Sequence, residues 1–329
     1  MLRIGSIKLD VPFFQSPISG YTDYPMRSLA RSFGAPLTFA GVMLAKSAAC
    51  PRVLTRSSFR PREDEHPVGA QIIGNEPKVM AKAAVELVRA GYDLIDLNFA
   101  CPAPKVLRRK RGGYLLKEPA RAVEIFRTVR DSVDCPVTVK LRTSYGNGDK
   151  SRANFWQIAE EISDYGVDAL VIHGRTVLDR FSGSADWDFL ARVKRRFPHK
   201  TIIGSGDLFE PGKIISRLEN SGLDGVALAR GAIGNPWIFR HLRALFAGKA
   251  APAPPTLAQQ RKIMLEHFEL ICHEHPVLKA VRLFRKFLVA YCKLHPARKN
   301  AQLSLLAAKN KQQLLTTMNQ WYTVAIKIA

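Results

Sequence analysis

Residues 68–102 read VGAQIIGNEPKVMAKAAVELVRAGYDLIDLNFACP. Two short apolar runs, VGAQII and DLIDLN, flank a segment whose apolar residues recur with the period of a helix. The helical pattern stops at Gly91, a residue type that commonly follows the last turn of a helix. A strand, a helix and a second strand in this order predict a β–α–β unit with parallel strands.

The same alternation extends along most of the chain. Predicted strands lie at 11–17, 37–42, 68–73, 93–98, 136–141, 168–173, 201–204 and 224–229. Segments with helical periodicity fill the gaps, and the alternation stops near Phe246. Eight strand-then-helix units favour an α/β fold of the TIM (β/α)8 barrel type over an open, doubly wound sheet. We therefore predict a barrel domain at 1–247.

Beyond the barrel, the proline-rich segment GKAAPAPPT predicts a linker at 248–256. The remaining residues, 257–329, show helical periodicity and no convincing strand, which predicts a smaller all-α domain. This segment has twelve Lys and Arg against three Asp and Glu, a difference of nine positive charges. The helical segment is therefore densely basic.

The whole chain is strongly basic: 50 Lys and Arg against 28 Asp and Glu give a net charge of +22. Such an excess attracts polyanions, so RNA or DNA is favoured over an anionic membrane, with colloidal solubility as the alternative. No apolar stretch is long enough to span a membrane, and no signal peptide is expected. Five cysteines without a C-x-x-C pair indicate a reduced, cytoplasmic protein, which we expect to be a monomer.

Reactive residues of this fold lie at the carboxyl ends of the strands. After the fourth strand, residues 98–102 read NFACP, and the proline ends the strand so that Cys101 lies on the rim. A thiol is mostly protonated at neutral pH, so Cys101 is a candidate proton donor. A nucleophile and a small buried apolar residue are the alternatives.

Lys140 and His173 stand at the ends of strands five and six, where Lys140 could stabilise negative charge on a ring carbonyl or a reduced flavin. A surface residue at a strand-to-loop transition is the alternative for Lys140, and a polar rim residue with satisfied hydrogen bonds is the alternative for His173. After strands seven and eight, the runs GSGD (204–207) and ARG (229–231) predict a phosphate site. Cys272 and its neighbouring histidines lack the second pair that a zinc site needs, so no metal is expected.

A basic loop follows the candidate proton donor: residues 103–116 read APKVLRRKRGGYLL, with Lys105 and Arg108 among its cations. Such a loop over the barrel mouth suits a phosphate-rich substrate, and a solvated charged loop is the alternative. Three cations at helical spacing in VRLFRKF are candidates for contacts with RNA phosphates: Arg282, Arg285 and Lys286.

The runs SPISGYTDYPMR, DLNFACPAPKV, VTVKLRT, VIHGRT with SGSADW, GSGDL and ARGAIGNPWIF occur in the order and spacing of one family. From about residue 3 to about residue 300, the chain resembles the tRNA-dihydrouridine synthases, most closely their bacterial B-type branch. The resemblance implies an FMN-binding TIM barrel, a helical RNA-binding domain, NADPH as reductant, and tRNA or another structured RNA as partner. It implies reduction of uridine to 5,6-dihydrouridine, with hydride delivered to C6 and a proton to C5.

The resemblance also implies roles for individual residues. Cys101 would be the proton donor, Asn98 would face the substrate base, and Arg175 in HGRT joins the residues expected to bind the substrate. The residues expected to bind FMN are Ser16, Pro17, Ile18, Gln71, Lys140, His173, Ser205, Gly206, Asp207, Ala229 and Arg230. The family usually has Gly where this chain has Ala100 and Ala229, and Asn where it has Ser205.

Two other functions stay open. An FMN-dependent dehydrogenase of a small pyrimidine, similar to dihydroorotate dehydrogenase, would use a similar barrel but leaves the basic helical segment unexplained. An RNA-binding barrel with lapsed catalysis would explain the charge, but it conflicts with the presence of Cys101, Lys140 and His173.

Overall fold

The structure is a computed structural model in which residues 1–54 and 59–323 are described. Residues 324–329, the last part of the predicted helical domain, lie outside the described residues. Within the described ranges, no helix is both long enough and apolar enough to cross a membrane.

The described strands are β1 (Leu2–Ile4), β2 (Ile7–Leu9), β3 (Phe13–Gln15), β4 (Thr38–Phe39), β5 (Met43–Leu44), β6 (Val68–Ile73), β7 (Leu94–Asn98), β8 (Val137–Arg142), β9 (Ala169–His173), β10 (Ile202–Ser205) and β11 (Gly225–Leu228). β1 and β2 form an antiparallel hairpin. The larger sheet has the order β3-β11-β10-β9-β8-β7-β6-β4, and β5 pairs with β6. The backbone N–H of Gln15 donates to the carbonyl of Leu37 at 3.1 Å and joins the two ends of this sheet. The predicted (β/α)8 barrel is confirmed.

The described helices are α1 (Tyr24–Ser32), α2 (Ala45–Ala48), α3 (Pro51–Leu54), α4 (Pro77–Arg89), α5 (Pro104–Leu107), α6 (Pro119–Arg130), α7 (Asp149–Asp164), α8 (Trp187–Arg196), α9 (Pro211–Ser221), α10 (Trp237–Phe246), α11 (Leu257–Glu274), α12 (Val277–Tyr291), α13 (Arg298–Ala307) and α14 (Lys311–Tyr322). α4, α6 and α9 begin with proline, whose fixed φ and missing N–H suit a first helical turn. Gly91 and Gly222 follow α4 and α9 with φ of +102° and +66°. Glycine adopts this conformation without strain, and α4 ends where the sequence predicts.

The barrel interior is apolar toward the amino ends of the strands and polar toward their carboxyl ends. The N-terminal hairpin closes the amino end of the barrel, because Leu2, Ile4 and Leu9 pack in one buried cluster with the interior side chains Leu94 and Val171. Side chains alternate along a strand, so residues two positions apart point into the same interior. Toward the carboxyl ends the interior residues are polar: Gln71, Asp96, Asn98, Thr138, Lys140, Arg142 and His173.

The helices after the linker pack directly against one side of the barrel. A single buried apolar cluster contains Met26 of α1 together with Phe268, Phe284 and Phe287 of α11 and α12. The segment predicted to be a linker, 248–256, lies between α10 and α11. The division into two domains stays a prediction, since the two parts share this apolar core.

Candidate active site

A cavity of 370 Å³ opens at the carboxyl ends of the barrel strands. Its volume lies within the range of about 300–1,000 Å³ that is typical of ligand pockets. The residues predicted to bind FMN, to face the base or to donate the proton all line it: Ser16, Pro17, Ile18, Gln71, Asn98, Cys101, Lys140, His173, Ser205, Gly206, Asp207, Ala229 and Arg230. Their individual roles stay predictions.

Cys101 is held at the rim by hydrogen bonds on both sides. The side-chain oxygen of Asn98 accepts from the backbone N–H groups of Ala100 at 3.1 Å and of Cys101 at 3.0 Å. The backbone N–H of Gly113 donates to the carbonyl of Cys101 at 3.0 Å. A Cβ at Gly112, which has φ +59°, would lie 3.0 Å from the Cβ of Cys101. Glycine therefore lets the basic loop come close to the thiol.

Lys140 and His173 lie on the neighbouring strands β8 and β9 and line the same cavity. Nζ of Lys140 and Nδ1 of His173 are buried, and neither has a hydrogen-bond partner among the described residues. Burial lowers the pKa of Lys140 to about 8. Burial, together with the positive charges of Arg142 and Lys140, holds the pKa of His173 far below its usual range. His173 is therefore neutral at pH 7, and both groups are left for a ligand.

Arg142 is a second buried cation of the barrel mouth, and it was not among the predicted residues. It is 3% exposed and donates to the carbonyls of Ala100 at 3.0 Å and Thr176 at 2.7 Å. Burial and then the charge of Arg175 lower its pKa to about 10. Arg142 follows Lys140 by two residues in VTVKLRT, so the two-residue period of a strand is the signal that could have placed it in the cavity.

The loops after β10 and β11 approach each other closely at another part of the cavity. Gly206 has φ +122°, and a Cβ there would meet a neighbouring side chain at 2.7 Å. A Cβ at Gly231 would lie 2.0 Å from the carbonyl oxygen of Leu208, so this position requires glycine. The guanidinium of Arg230 lines the cavity 4.5 Å from the centre of the Phe181 ring. Close backbones beside a guanidinium are suited to binding an anion.

Arg175 and Asp207, expected to contact substrate and cofactor, bind each other. The Arg175 guanidinium donates to the Asp207 carboxylate at 2.7 Å, and its side chain is almost fully buried. The backbone N–H of Ala185 donates to the same carboxylate at 2.8 Å. Burial opposes ionisation of Asp207, but these hydrogen bonds and the charge of Arg175 lower its pKa overall. Arg175 therefore lies beneath the loop after β10, away from solvent, and stabilises that loop.

Three of the predicted RNA-binding cations lie outside the cavity on accessible surfaces. Lys105 and Arg108 are exposed on the basic loop after Cys101. Arg282 is exposed on α12, and its side chain has no partner among the described residues. A polyanion can reach all three.

The other two predicted RNA-binding cations are engaged within the protein. Arg285 donates to the carbonyl of Ala308 at 2.9 Å and so joins α12 to the end of α13. Lys286 donates to the carbonyl of Gly20 and lies 3.6 Å from the carboxylate of Asp23. Lys286 thus holds the loop between β3 and α1, which borders the cavity.

Three aromatic residues, Tyr21, Phe181 and Phe209, also line the cavity without having been predicted. The Tyr21 ring packs edge-on against Phe287 of α12, with 5.6 Å between ring centroids. A single aromatic residue in a loop has no sequence signal that separates binding from packing. Among the described residues, no group of three or more His, Cys, Asp or Glu side chains is placed to hold a metal ion.

A closed parallel barrel with buried cations and a rim cysteine at its carboxyl-end cavity defines a (β/α)8-barrel protein with an enzyme-type site. The family model described as Dihydrouridine synthase (Dus) matches residues 14–327. The chain belongs to the dihydrouridine synthase family, which confirms the resemblance found in its motifs.

Relatives match along nearly their whole length. The tRNA-dihydrouridine synthase B of Pseudomonas putida is 32% identical, over 98% of this chain and 94% of the relative. A probable tRNA-dihydrouridine synthase of Rickettsia conorii is 34% identical, over 88% of this chain and 87% of the relative.

Solved structures that superpose on the chain include the histamine dehydrogenase from Rhizobium sp. 4-9, with a TM-score of 0.59 and 16% identity over 82% of this chain and 50% of that one. Morphinone reductase in complex with tetrahydroNAD superposes with a TM-score of 0.52 and 15% identity, over 77% of this chain and 91% of that one. At these identities the likeness shows the fold alone.

Proposed function

We propose that this protein reduces uridine in tRNA to 5,6-dihydrouridine, with FMN as cofactor and NADPH as reductant. One observation carries the proposal: the Cys101 thiol, the unpartnered ammonium of Lys140 and the neutral imidazole of His173 face one cavity. The substrate class is supported by the relatives, which are named as tRNA-dihydrouridine synthases. The net charge of +22 also favours RNA over a free pyrimidine.

The unsatisfied groups of the cavity fit a flavin mononucleotide. The flavin ring offers carbonyl and nitrogen acceptors, which the ammonium of Lys140 and the amide of Gln71 would bind. Residues 16–18 would back the ring. The close loops around Gly206, together with the guanidinium of Arg230, would hold the phosphate.

The proposed reaction follows from the chemistry of uracil. Its C5=C6 bond is conjugated with the C4 carbonyl and therefore accepts hydride at C6. A bound flavin, once reduced by NADPH, supplies that hydride, which no amino-acid side chain can do. The electron pair displaced toward C5 and O4 takes the proton from the Cys101 thiol at C5. Asn98, which holds the Cys101 turn, would face the base, and Lys140 would stabilise negative charge beside the ring.

The target base must leave the folded RNA to reach the cavity. Unstacking and flipping a base cost a few kcal/mol. Contacts between phosphates and the exposed cations Lys105, Arg108 and Arg282 would offset that cost. We infer a monomer that acts in the cytoplasm, where tRNA is modified.

Replacing the proton donor tests the proposal. We expect Cys101→Ala to bind FMN and tRNA as the wild type does, but to form dihydrouridine about 10²–10⁴-fold more slowly, the usual contribution of a positioned acid. The measurement is a single turnover without oxygen, in which NADPH-reduced protein is mixed with unmodified tRNA and flavin absorbance is followed.

Cys272→Ala is the matched control, since Cys272 is a partly exposed thiol that does not line the cavity. It should retain the wild-type rate. A full rate in Cys101→Ala would contradict the proton-donor role. Equal turnover of free uridine and tRNA would favour a small-pyrimidine enzyme, and a wild-type protein that binds no FMN would overturn the redox proposal.

A further inference from the structure

A buried carboxylate lies directly beneath the proposed active site. Asp96 is in β7, two residues before Asn98, and strand alternation places both side chains in the barrel interior. Asp96 is 2% exposed. Carboxylates are rarely buried so completely unless hydrogen bonds satisfy them. The residue does not line the cavity and has no part in the reaction proposed above.

Two neighbouring strands provide donors to this carboxylate. Oδ1 of Asp96 accepts from the hydroxyl of Thr138 in β8 at 2.6 Å. Oδ2 accepts from Nε2 of Gln71 in β6. Both partners are themselves buried, Thr138 with 1% and Gln71 with 1% exposure. The arrangement is therefore dry, and each hydrogen bond is made to a charged acceptor.

The hydrogen bonds continue from Asp96 to the rim. Oε1 of Gln71 accepts from Nδ2 of Asn98 at 2.7 Å. Oδ1 of Asn98 accepts from the backbone N–H of Cys101 at 3.0 Å. A single chain of hydrogen bonds thus joins the buried carboxylate to the proposed proton donor, and it passes through a residue predicted to bind the flavin.

The direction of this chain is set by its buried end. An ionised carboxylate only accepts hydrogen bonds, so the Gln71 amide must turn its nitrogen toward Asp96 and its oxygen toward Asn98. The second N–H of the Gln71 amide then remains for the cavity. A neutral side chain at position 96 could accept or donate a hydrogen bond. Gln71 could then turn its oxygen, rather than its nitrogen, toward position 96.

The charge of Asp96 also acts on Lys140. Burial lowers the pKa of Lys140, and the Asp96 carboxylate opposes that effect while the charge of Arg142 adds to it. Burial raises the pKa of Asp96 to about 6, with hydrogen bonds from Thr138 and Gln71 opposing the rise. At pH 7 Asp96 is therefore mainly ionised and favours the charged form of Lys140.

We propose that Asp96 is a positioning residue, whose carboxylate orients the Gln71 amide as a hydrogen-bond donor to the flavin and, through Asn98, steadies the turn that carries Cys101. This inference rests on the function proposed above. Asp96 touches neither cofactor nor substrate and acts through Gln71.

A double-mutant cycle between positions 96 and 71, with FMN affinity as the readout, tests the inference. The full chain is stripped of flavin and titrated with FMN, and quenching of flavin fluorescence gives Kd. Asp96→Asn keeps the shape and removes the charge. We expect it to raise Kd about tenfold or more, as for loss of a hydrogen bond to a charged group. In the Gln71→Leu background, the same substitution should change Kd by less than about threefold, because no amide remains to be oriented.

Thr138→Ser is the matched control, since it keeps the hydroxyl that donates to Asp96 and removes only a methyl group from the same buried site. It should change Kd for FMN by less than about threefold. Far-UV circular dichroism of each flavin-free variant checks folding. If Asp96→Asn does not fold, the cycle is run with Asp96→Glu, which keeps the charge but moves it by one methylene, and the same non-additivity is expected.

The outcomes separate this inference from the proposed function. Equal FMN affinity of wild type and a folded Asp96→Asn variant would overturn the role of Asp96 alone. Additive effects of the substitutions at 96 and 71 would show a general structural effect and would also overturn it. A wild-type protein that binds no FMN would overturn the proposed function, whatever the variants do.

Discussion

Lys140 is held in a state that costs the folded protein stability. Its ammonium is buried without a hydrogen-bond partner among the described residues. Burial lowers its pKa from 10.5 to about 8. A shift of this size corresponds to about 3 kcal/mol at a pH where the lysine is charged in both states. A residue placed at such a cost is typical of a binding site, where the ligand provides the missing partner.

The cost of burying Lys140 predicts how stability depends on pH. Folded protein releases the Lys140 proton near pH 8, whereas unfolded protein keeps it until about pH 10.5. Unfolded protein therefore binds more protons in this window, and the free energy of unfolding rises with pH through it. We expect the free energy of unfolding of the wild type to rise, relative to that of Lys140→Met, by up to about 3 kcal/mol between pH 7 and pH 10.

Urea unfolding of the flavin-free proteins at several pH values measures this difference. Tyrosines and other lysines titrate in both proteins, so subtraction of the two curves isolates Lys140. Parallel curves for wild type and Lys140→Met would show that the lysine is hydrated and not buried as the structure has it.

Cys101, Lys140 and His173 could be predicted from local sequence signals, whereas Asp96 could not. Cys101 precedes a proline that stops a strand, and Lys140 and His173 close apolar runs, so each has a local signal. Asp96 lies within DLIDLN, which reads as an ordinary buried strand. Its partners lie 25 and 42 residues away in the chain. Only the pairing of β6, β7 and β8, in which Gln71, Asp96 and Thr138 lie side by side, brings those three side chains together.

At the scale of elements, α12 carries three cations at the spacing of one helix face, and their surroundings in the structure differ. Arg282, Arg285 and Lys286 share the spacing of one helix face, and the sequence predicts RNA contacts for all three. Arg282 is exposed, whereas Arg285 and Lys286 bind backbone carbonyls of neighbouring segments. The elements that pack beside the helix decide which of its cations are accessible to RNA. The periodicity of the helix does not identify those neighbouring elements.

The salt dependence of tRNA binding tests this distinction on α12. Each phosphate contact contributes about 0.7–0.9 to the slope of log K against log salt concentration. We expect Arg282→Ala to reduce the slope by about one. Arg285→Ala should leave the slope unchanged and lower the thermal midpoint, because it loses the hydrogen bond to Ala308. Equal reductions of the slope by both variants would contradict the engagement of Arg285.

The eight barrel strands could be predicted because apolar runs recur between helical segments. The hairpin of β1 and β2 could not, since each strand has three residues and no turn signal beyond Gly5. β5 has two residues and exists only through its pairing with β6. Short strands such as these depend on partners for their conformation rather than on their own residues.

At the scale of the whole molecule, the barrel and the helices after the linker share one apolar core. Met26 and Trp237, on barrel helices, pack in the same cluster as Phe268, Phe284 and Phe287. All five side chains are at most 4% exposed. Separating the two parts would expose these side chains to water on both faces of the contact, at about 25 cal/mol for each Å² of apolar surface.

The shared core predicts that the full chain unfolds in one cooperative transition. We expect a single calorimetric peak whose measured enthalpy equals the van't Hoff enthalpy. The fragment 1–247 should bind the dye ANS and lack a sharp transition, because its exposed face carries the barrel half of the core. The full chain under the same conditions is the control. A fragment that unfolds sharply without binding ANS, or two separate peaks in the full chain, would show that the barrel is stable alone and that the helical part is only attached to it.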